Sequence, residues 1–339
     1  MVRVAVIGAG IVGLSTAVRI QEILPHVTVS VIADRFGQDT TSDGAAGFFR
    51  PTLDLVQGVH EDTVRTWVMD SWNHFDEIAK SSESADAGVW FLSGYHLYDT
   101  GVAYVRKPDV LQEVVYHYRD MVDGEHEMFG CRRRENGVFF TSLMIEARWH
   151  LPWLTKKFQK NGGKIVIRTV KSLDEMAGNY DVVVNCTGLR AKDLLPEEKL
   201  LEPNRGQVLR VKAPWIKHFI YVDMNCWIIP GKEWVVIGGT RQANNSNTEI
   251  NKKDLDDVWN RACEVVPSLK DAQVMKIWPG LRPYRSPLRL ELENRNVNGK
   301  TLKVVHNYGH GGNGIGLSWG TAVNAAKLVQ EAIYNKSKL

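Results

Sequence analysis

Cysteine is scarce in this chain: four residues in 339, at Cys131, Cys186, Cys226 and Cys263, with no C-x-x-C pair among them. Such spacing argues against a zinc site or a disulfide framework and predicts a reducing compartment. Long hydrophobic runs are absent too, since no apolar stretch approaches the roughly 18 residues that span a bilayer. No charged leader precedes the first strand, and the expectation is a soluble chain made in the cytosol. Nor does one sign of charge dominate: 42 basic against 39 acidic residues leave a formal +3. The run Arg132-Arg133-Arg134 reads as a solvated turn, so neither nucleic acid nor a membrane is an expected partner. The length suits two domains, or one large domain with insertions.

What the chain does have comes first. Arg3-Val4-Ala5-Val6-Ile7 is an apolar strand, Gly8-Ala9-Gly10-Ile11-Val12-Gly13 a glycine-rich turn, and residues 14–23 a helix. Gly8 allows the tight turn, Gly10 lets the backbone approach a pyrophosphate, and Gly13 lets the helix sit close to the strand. The free N–H groups at the helix start, with the helix dipole, form an anion site. A second apolar run, residues 27–32, ends at Ala33-Asp34, about twenty residues beyond Gly13, where a carboxylate accepts hydrogen bonds from a ribose 2′-OH. A βαβ unit without a ligand shares the glycine spacing; the placement of Asp34 favours a dinucleotide.

Further along, Thr40-Thr41-Ser42-Asp43-Gly44-Ala45-Ala46-Gly47 has little to bury; it offers hydroxyls and bare backbone to a phosphate or flavin edge, and a plain surface loop looks similar. Val64, Trp67, Val68, Trp72, Phe75 and Ile78 recur with a helical period over residues 61–80. Residues 89–98 read as strand broken at Ser93-Gly94, residues 100–140 as helix-like patterning in an inserted domain, and residues 151–158 as a helix with Pro152 in its first turn. Asp181 to Gly188 reads as a buried parallel strand ending in a Thr187-Gly188 turn over a ligand crevice. Residues 205–242 alternate as antiparallel sheet, and residues 251–266 form an amphipathic helix. A second strand, glycine loop and helix follows: residues 303–308, then Gly309 to Gly314, then a helix over 315–334. Two such units some three hundred residues apart imply a split nucleotide domain, which a flavin requires more than a nicotinamide does.

Assembled, these segments resemble the D-amino acid oxidase family of flavoproteins from near Arg3 to the end. The stretches that carry the resemblance are Val6-Ile7-Gly8-Ala9-Gly10, Ala33-Asp34-Arg35-Phe36, Ala45-Ala46-Gly47, Val184-Asn185-Cys186-Thr187-Gly188, Arg205-Gly206-Gln207, Gly280-Leu281-Arg282-Pro283 and His306-Asn307-Tyr308-Gly309-His310-Gly311-Gly312. The resemblance implies an α/β fold: a split Rossmann-type FAD-binding domain (1–55, 145–195 and 285–339) and an α+β substrate domain with a largely antiparallel sheet (56–144 and 196–284). It also implies non-covalent FAD, held by Gly8, Ala9, Gly10, Ile11, Val12, Gly13, Asp34, Arg35, Thr40, Thr41, Ser42, Ala46, Gly47, Phe48, Val170, Thr187, Gly188, Gly311, Gly312, Asn313, Gly314 and Ile315. The reaction it implies is oxidation of a D-amino acid by hydride transfer from Cα to flavin N5, yielding a 2-oxo acid, ammonia and H₂O₂. No protein base and no metal are needed.

By the same resemblance, Arg282 pairs bidentately with the substrate α-carboxylate. Arg241, in Gly238-Gly239-Thr240-Arg241-Gln242, marks the branch that acts on acidic substrates, the D-aspartate oxidases. D-aspartate, D-glutamate and N-methyl-D-aspartate are then the candidate substrates, and a broad or neutral D-amino acid oxidase is the alternative. Gly312 is a further substrate-contact candidate. The chain departs from the family twice: Trp227 stands where a tyrosine precedes Ile-x-Pro-Gly, and Tyr221 follows His218-Phe219-Ile220 where the acidic branch has an arginine. Arg50 is an added cation. It is a candidate to replace that arginine, with solvent-facing or flavin-contacting positions as alternatives. Finally, Ser337-Lys338-Leu339 matches the tripeptide read by the peroxisomal import receptor, so the peroxisomal matrix is the expected location. Oligomeric state is left open.

Overall fold

The opening apolar run is buried on both faces, as a central parallel strand must be; Val4, Ala5 and Val6 have no exposed surface. The computed structural model describes residues 2–52, 56–98, 110–130, 136–222 and 226–334. Cys131, Arg132-Arg133-Arg134 and Ser337-Lys338-Leu339 lie outside the described residues. Fourteen strands among them join one sheet: β1 (Arg3–Ala9), β2 (Thr28–Phe36), β3 (Val89–Leu97), β4 (Tyr116–Asp120), β5 (Gly137–Ile145), β6 (Lys164–Ile167), β7 (Val182–Asn185), β8 (Glu202–Lys212), β9 (Phe219–Val222), β10 (Cys226–Pro230), β11 (Val235–Gly238), β12 (Gln242–Ala243), β13 (Gln273–Val297) and β14 (Lys300–His310). Their order is β4-β5-β3-β9-β10-β11-β8-β13-β14-β7-β1-β2-β6, with β12 paired onto β8.

The five strands β14-β7-β1-β2-β6 are mutually parallel. Their alternate side chains enter separate cores, Val4 and Val6 joining the helices Ile11–Ile23 and Ser318–Tyr334, Ala5 and Ile7 joining Leu173, Leu194 and Val304. Along the rest of the sheet the ladders are antiparallel, apart from the parallel pair β3 and β9. One face of this part packs on the helix Lys252–Val265 through Val258, Ala262 and Val265. The sheet is continuous: β13, 25 residues long, pairs with β8 over its first half and with β14 over its second. Ligand crevices in such sheets lie beyond the carboxyl ends of the parallel strands. Here β1, β7 and β14 end together at Ala9, Asn185 and His310.

The helical period over Glu61–Lys80 is realised residue for residue, with Val64, Trp67, Val68, Trp72, Phe75 and Ile78 buried. Elsewhere the chain departs from its local pattern. Ser93-Gly94 does not break β3; a methyl at Gly94 would lie 2.0 Å from the Phe219 carbonyl oxygen, so glycine there lets β9 come alongside. The stretch read as helix-like, 100–140, holds only the short helix Val110–Val114 and a 3₁₀ turn at Glu125–Met128, with β4 and the start of β5, among its described residues. The helix Ala147–Lys160 begins before Pro152, which therefore sits in its second turn, where its missing N–H forgoes one ladder bond. The last helix starts at Ser318, after a single 3₁₀ turn over Gly311–Asn313.

Candidate active site

A cavity of about 590 Å³ opens where the parallel strands end. Its lining runs from Asp34, Arg35 and Val170 past Gly8 to Val12, Thr40 to Ser42 and Ala46 to Phe48, then past Thr187, Gly188 and Gly311 to Ile315, and on to Arg50, Tyr221, Trp227, Arg241 and Arg282. Of the residues singled out from the sequence, only Gly13 does not line it. Gly13 works from behind: a methyl there would lie 2.0 Å from the Gly8 carbonyl oxygen, so its bare Cα sets the helix against the strand turn. Gly8 itself has φ +107°, and a methyl on it would meet the Cys186 carbonyl oxygen at 2.5 Å. Two glycines thus bring β1, β7 and the helix start to one point, which larger residues cannot reach.

The loop after β2 is fastened from below. The Ile11 N–H donates to Ser42 Oγ at 3.0 Å, tying the loop to the helix start. Asp43 is buried and pairs with Arg148 at 3.0 Å, while Arg210 donates to the Asp43 carbonyl at 2.6 Å. Gly44 packs under the Trp278 ring, where a methyl would come within 2.0 Å. At the far end, Asp34 accepts from Thr169 Oγ1 at 3.1 Å and from Arg190. Its slight burial pushes the carboxyl pKa up, but Arg190 and Thr169 outweigh this and hold it below the ordinary value. Asp34 is therefore an ionised acceptor at neutral pH. On the other side, Gly309 (φ +96°) and Gly311 (φ +56°) make a turn that only glycine adopts freely, and Asn313 is buried beneath it.

The opposite end gathers three arginines. Arg282, on β13, donates to the Thr240 carbonyl at 3.2 Å and lies over Gly206, where a methyl would meet its guanidinium at 2.4 Å. Thr240 Oγ1 accepts from the Gln207 N–H at 2.6 Å, so one residue fixes Arg282 and sets the start of Arg241. Burial, then the neighbouring charge of Arg241, lowers the Arg282 pKa to about 10. Arg241 is lowered by burial and then by Arg50, against an opposing pull from Tyr221. Its guanidinium faces the Trp227 ring at 5.8 Å, Trp227 stacks on Tyr221 at 6.2 Å, and Arg50 lies 4.7 Å over the Tyr221 ring. None of the three arginines pairs with a carboxylate among the described residues. Arg205 is the contrast, fully buried yet satisfied by Asp254, Gln242, Gln207 and the carbonyls of Asn247 and Glu249.

Sequence motifs missed several of the residues that shape this end. Trp278 precedes Arg282 by four positions, two before the Gly280 of its motif, so strand alternation alone places all three on one face of β13. His96, beside Arg50, carries no such signal, and neither does the Asp43–Arg148–Arg210 cluster beneath the loop.

A family model described as "FAD dependent oxidoreductase" (DAO) matches residues 3–328. The chain belongs to this family. Human D-aspartate oxidase is 39% identical over 333 residues, covering 98% of this chain and 96% of that one. D-aspartate oxidase 1 of Caenorhabditis elegans is 34% identical over 340 residues, covering 99% of each. Among solved structures, glycine oxidase from Geobacillus kaustophilus shares the fold with a TM-score of 0.78 at 18% identity, covering 98% of this chain and 95% of that one. FAD is the cofactor of this oxidoreductase, and the cavity fits it. The Gly8 to Gly13 turn leaves N–H groups at the helix start for a pyrophosphate, Asp34 offers an ionised acceptor for a ribose, and the Gly309 to Gly314 turn with Thr187-Gly188 lays bare backbone along the rest of the lining.

Proposed function

We propose that this flavoenzyme oxidises acidic D-amino acids, D-aspartate and D-glutamate with N-methyl-D-aspartate as a further candidate, to 2-oxo acids, ammonia and H₂O₂. The observation that carries this reading is the set of three arginines facing one cavity with no carboxylate paired to them among the described residues. Burying cations unpaired is costly, and a ligand with two carboxylates relieves the cost where one with a single carboxylate cannot. The full-length similarity to relatives named D-aspartate oxidase supports the same class.

When bound, FAD would supply a two-electron acceptor for the substrate Cα–H, with O₂ as the final acceptor. The protein's part is orientation. Arg282 takes the α-carboxylate in its planar fork, which fixes the direction of the Cα–H bond. Arg241 meets the side-chain end. His310 also lines the cavity, but its Nε2 is engaged with Thr321 Oγ1 at 3.0 Å and burial lowers its pKa to about 3, so it is too weak a base to remove a substrate proton. Direct hydride transfer requires no such base.

The test is peroxide release over a panel of acidic, neutral and basic D-amino acids with added FAD, on the native chain and on Arg241→Leu. The ratio of kcat/KM for D-aspartate to that for D-alanine is expected to fall by about 100-fold in the variant, the scale of a lost charge-assisted pair that leaves its partner unpaired. Equal losses on both substrates favour a neutral or broad D-amino acid oxidase instead. We further propose that Ser337-Lys338-Leu339 directs the enzyme to the peroxisome. Removing the three residues from a tagged chain should leave it in the cytosol with activity intact; unchanged peroxisomal import rules the tripeptide out.

A further inference from the structure

Arg50 shares the cavity with Arg241 and Arg282 but has its own support. It precedes Pro51, which biases its backbone to an extended conformation. Its guanidinium lies over the Tyr221 ring, and Nη2 stands 3.4 Å from His96 Nδ1. His96 and Tyr221 are direct cross-strand partners on β3 and β9, so the two supports of Arg50 are themselves held in register. Burial, then the Arg50 charge, pushes the His96 pKa well below its ordinary value. The imidazole is therefore neutral. For Arg50 to donate to Nδ1 the ring proton must sit on Nε2, a tautomer set by this contact.

This bracket orients Arg50 without neutralising it. Its neighbours are a ring face and an uncharged imidazole, its Nε is buried with no hydrogen-bond partner among the described residues, and the same holds for His96 Nε2. A half-buried guanidinium in that state is stabilised most by an anion that enters the cavity. A carboxylate has about four lone-pair positions and accepts from two guanidinium groups at once. All three arginines act on Tyr221, but Arg241 is repelled by Arg50 while Arg282 is repelled by Arg241, so Arg241 stands between the other two and Arg50 extends the cluster on its far side from Arg282.

We propose that Arg50 is a second ligand for the distal carboxylate of the substrate, a specificity-determining residue that acts together with Arg241, and that His96 is its positioning residue. The inference rests on the acidic-substrate reading above. It explains how the chain serves acidic substrates with Tyr221 where the acidic branch of the resemblance has an arginine: the cation is supplied by another segment and lies on the tyrosine ring.

The experiment measures kcat and KM for D-aspartate and D-alanine in FAD-loaded Arg50→Ala, Arg50→Lys, His96→Leu and His96→Gln, with bound flavin per chain confirming the fold of each. Arg50→Ala is expected to raise KM for D-aspartate about 30-fold and to lower the D-aspartate to D-alanine ratio of kcat/KM to match, with Arg50→Lys recovering part of the loss. His96→Leu should raise KM for D-aspartate by about tenfold with kcat retained, and His96→Gln, which keeps an acceptor for Arg50, should restore it. If Arg50→Ala does not hold flavin, the Arg50→Lys and His96 variants decide. An unchanged ratio in an enzyme that prefers acidic substrates overturns the role of Arg50 alone, and equal losses on both substrates reduce it to support for Tyr221. A native enzyme that oxidises no acidic D-amino acid overturns the acidic reading and this inference with it.

Discussion

Arg282→Ala is expected to lower kcat/KM for D-aspartate by roughly 30- to 5,000-fold, the range that follows from about 2–5 kcal/mol for truncating one partner of a buried charge pair. The upper part of the range is favoured here. Arg282 sits between Gly206 and the Thr240 carbonyl with its pKa already lowered to about 10, so its environment is dry enough for the pair with a carboxylate to be strong. On the proposed reading Arg241 meets the other end of the substrate and does not substitute. Because the α-carboxylate anchor also fixes the direction of the Cα–H bond, the loss should appear in kcat as well as in KM. Arg282→Lys should recover little, since an ammonium lacks the fork. Anaerobic flavin reduction at saturating D-aspartate checks the chemical step; a loss below tenfold in kcat/KM removes Arg282 from the anchor role.

Gly13→Ala is expected to have an effect as large by a different route. The added methyl would lie 2.0 Å from the Gly8 carbonyl oxygen and 2.9 Å from its carbon, and both are backbone atoms that no rotamer change can move aside. Relief requires the helix Ile11–Ile23 to lift off β1, which carries its free N–H groups away from the phosphate position. The packing cost is about 3 kcal/mol or more, which in a chain of this size lowers Tm by roughly 4 °C or more. The variant should be purified largely without flavin. Thermal unfolding, with flavin content read from the visible spectrum, checks both; native-like flavin content and Tm mean that the helix accommodates the methyl.

The residues that were legible in the sequence are those whose job is done by the local backbone. Gly8, Gly10 and Gly13 act through a turn and a close approach, so their spacing together with Asp34 locates the site, and Arg282 is located by its motif Gly-x-Arg-Pro. Gly13 proved to pack behind the cavity and not to line it, in keeping with the part its position predicts in the turn. Partners brought together by the fold were not legible. Asp43 meets Arg148 and Arg210 from across 105 and 167 residues, and no period in the chain encodes such a contact. His96 meets Arg50 from across 46 residues, and meets Tyr221 beneath that Arg50 only because β3 lies beside β9. The strands β4 and β5 were hidden for a related reason: their side chains answer to neighbours across the sheet, which mixes charged and apolar residues in a way that resembles a helix surface.

The long strand β13 holds Arg282 in its first half, and its second half is laddered to β14, whose end carries the Gly309 turn. The proposed substrate anchor and the Gly309 turn are therefore spaced by a single hydrogen-bonded hairpin, while Arg241 and Arg50 project from separate segments. If Arg50 and Arg241 act as proposed, the residues at positions 50 and 241 can be exchanged to alter substrate choice while the ladder between β13 and β14 stays as it is.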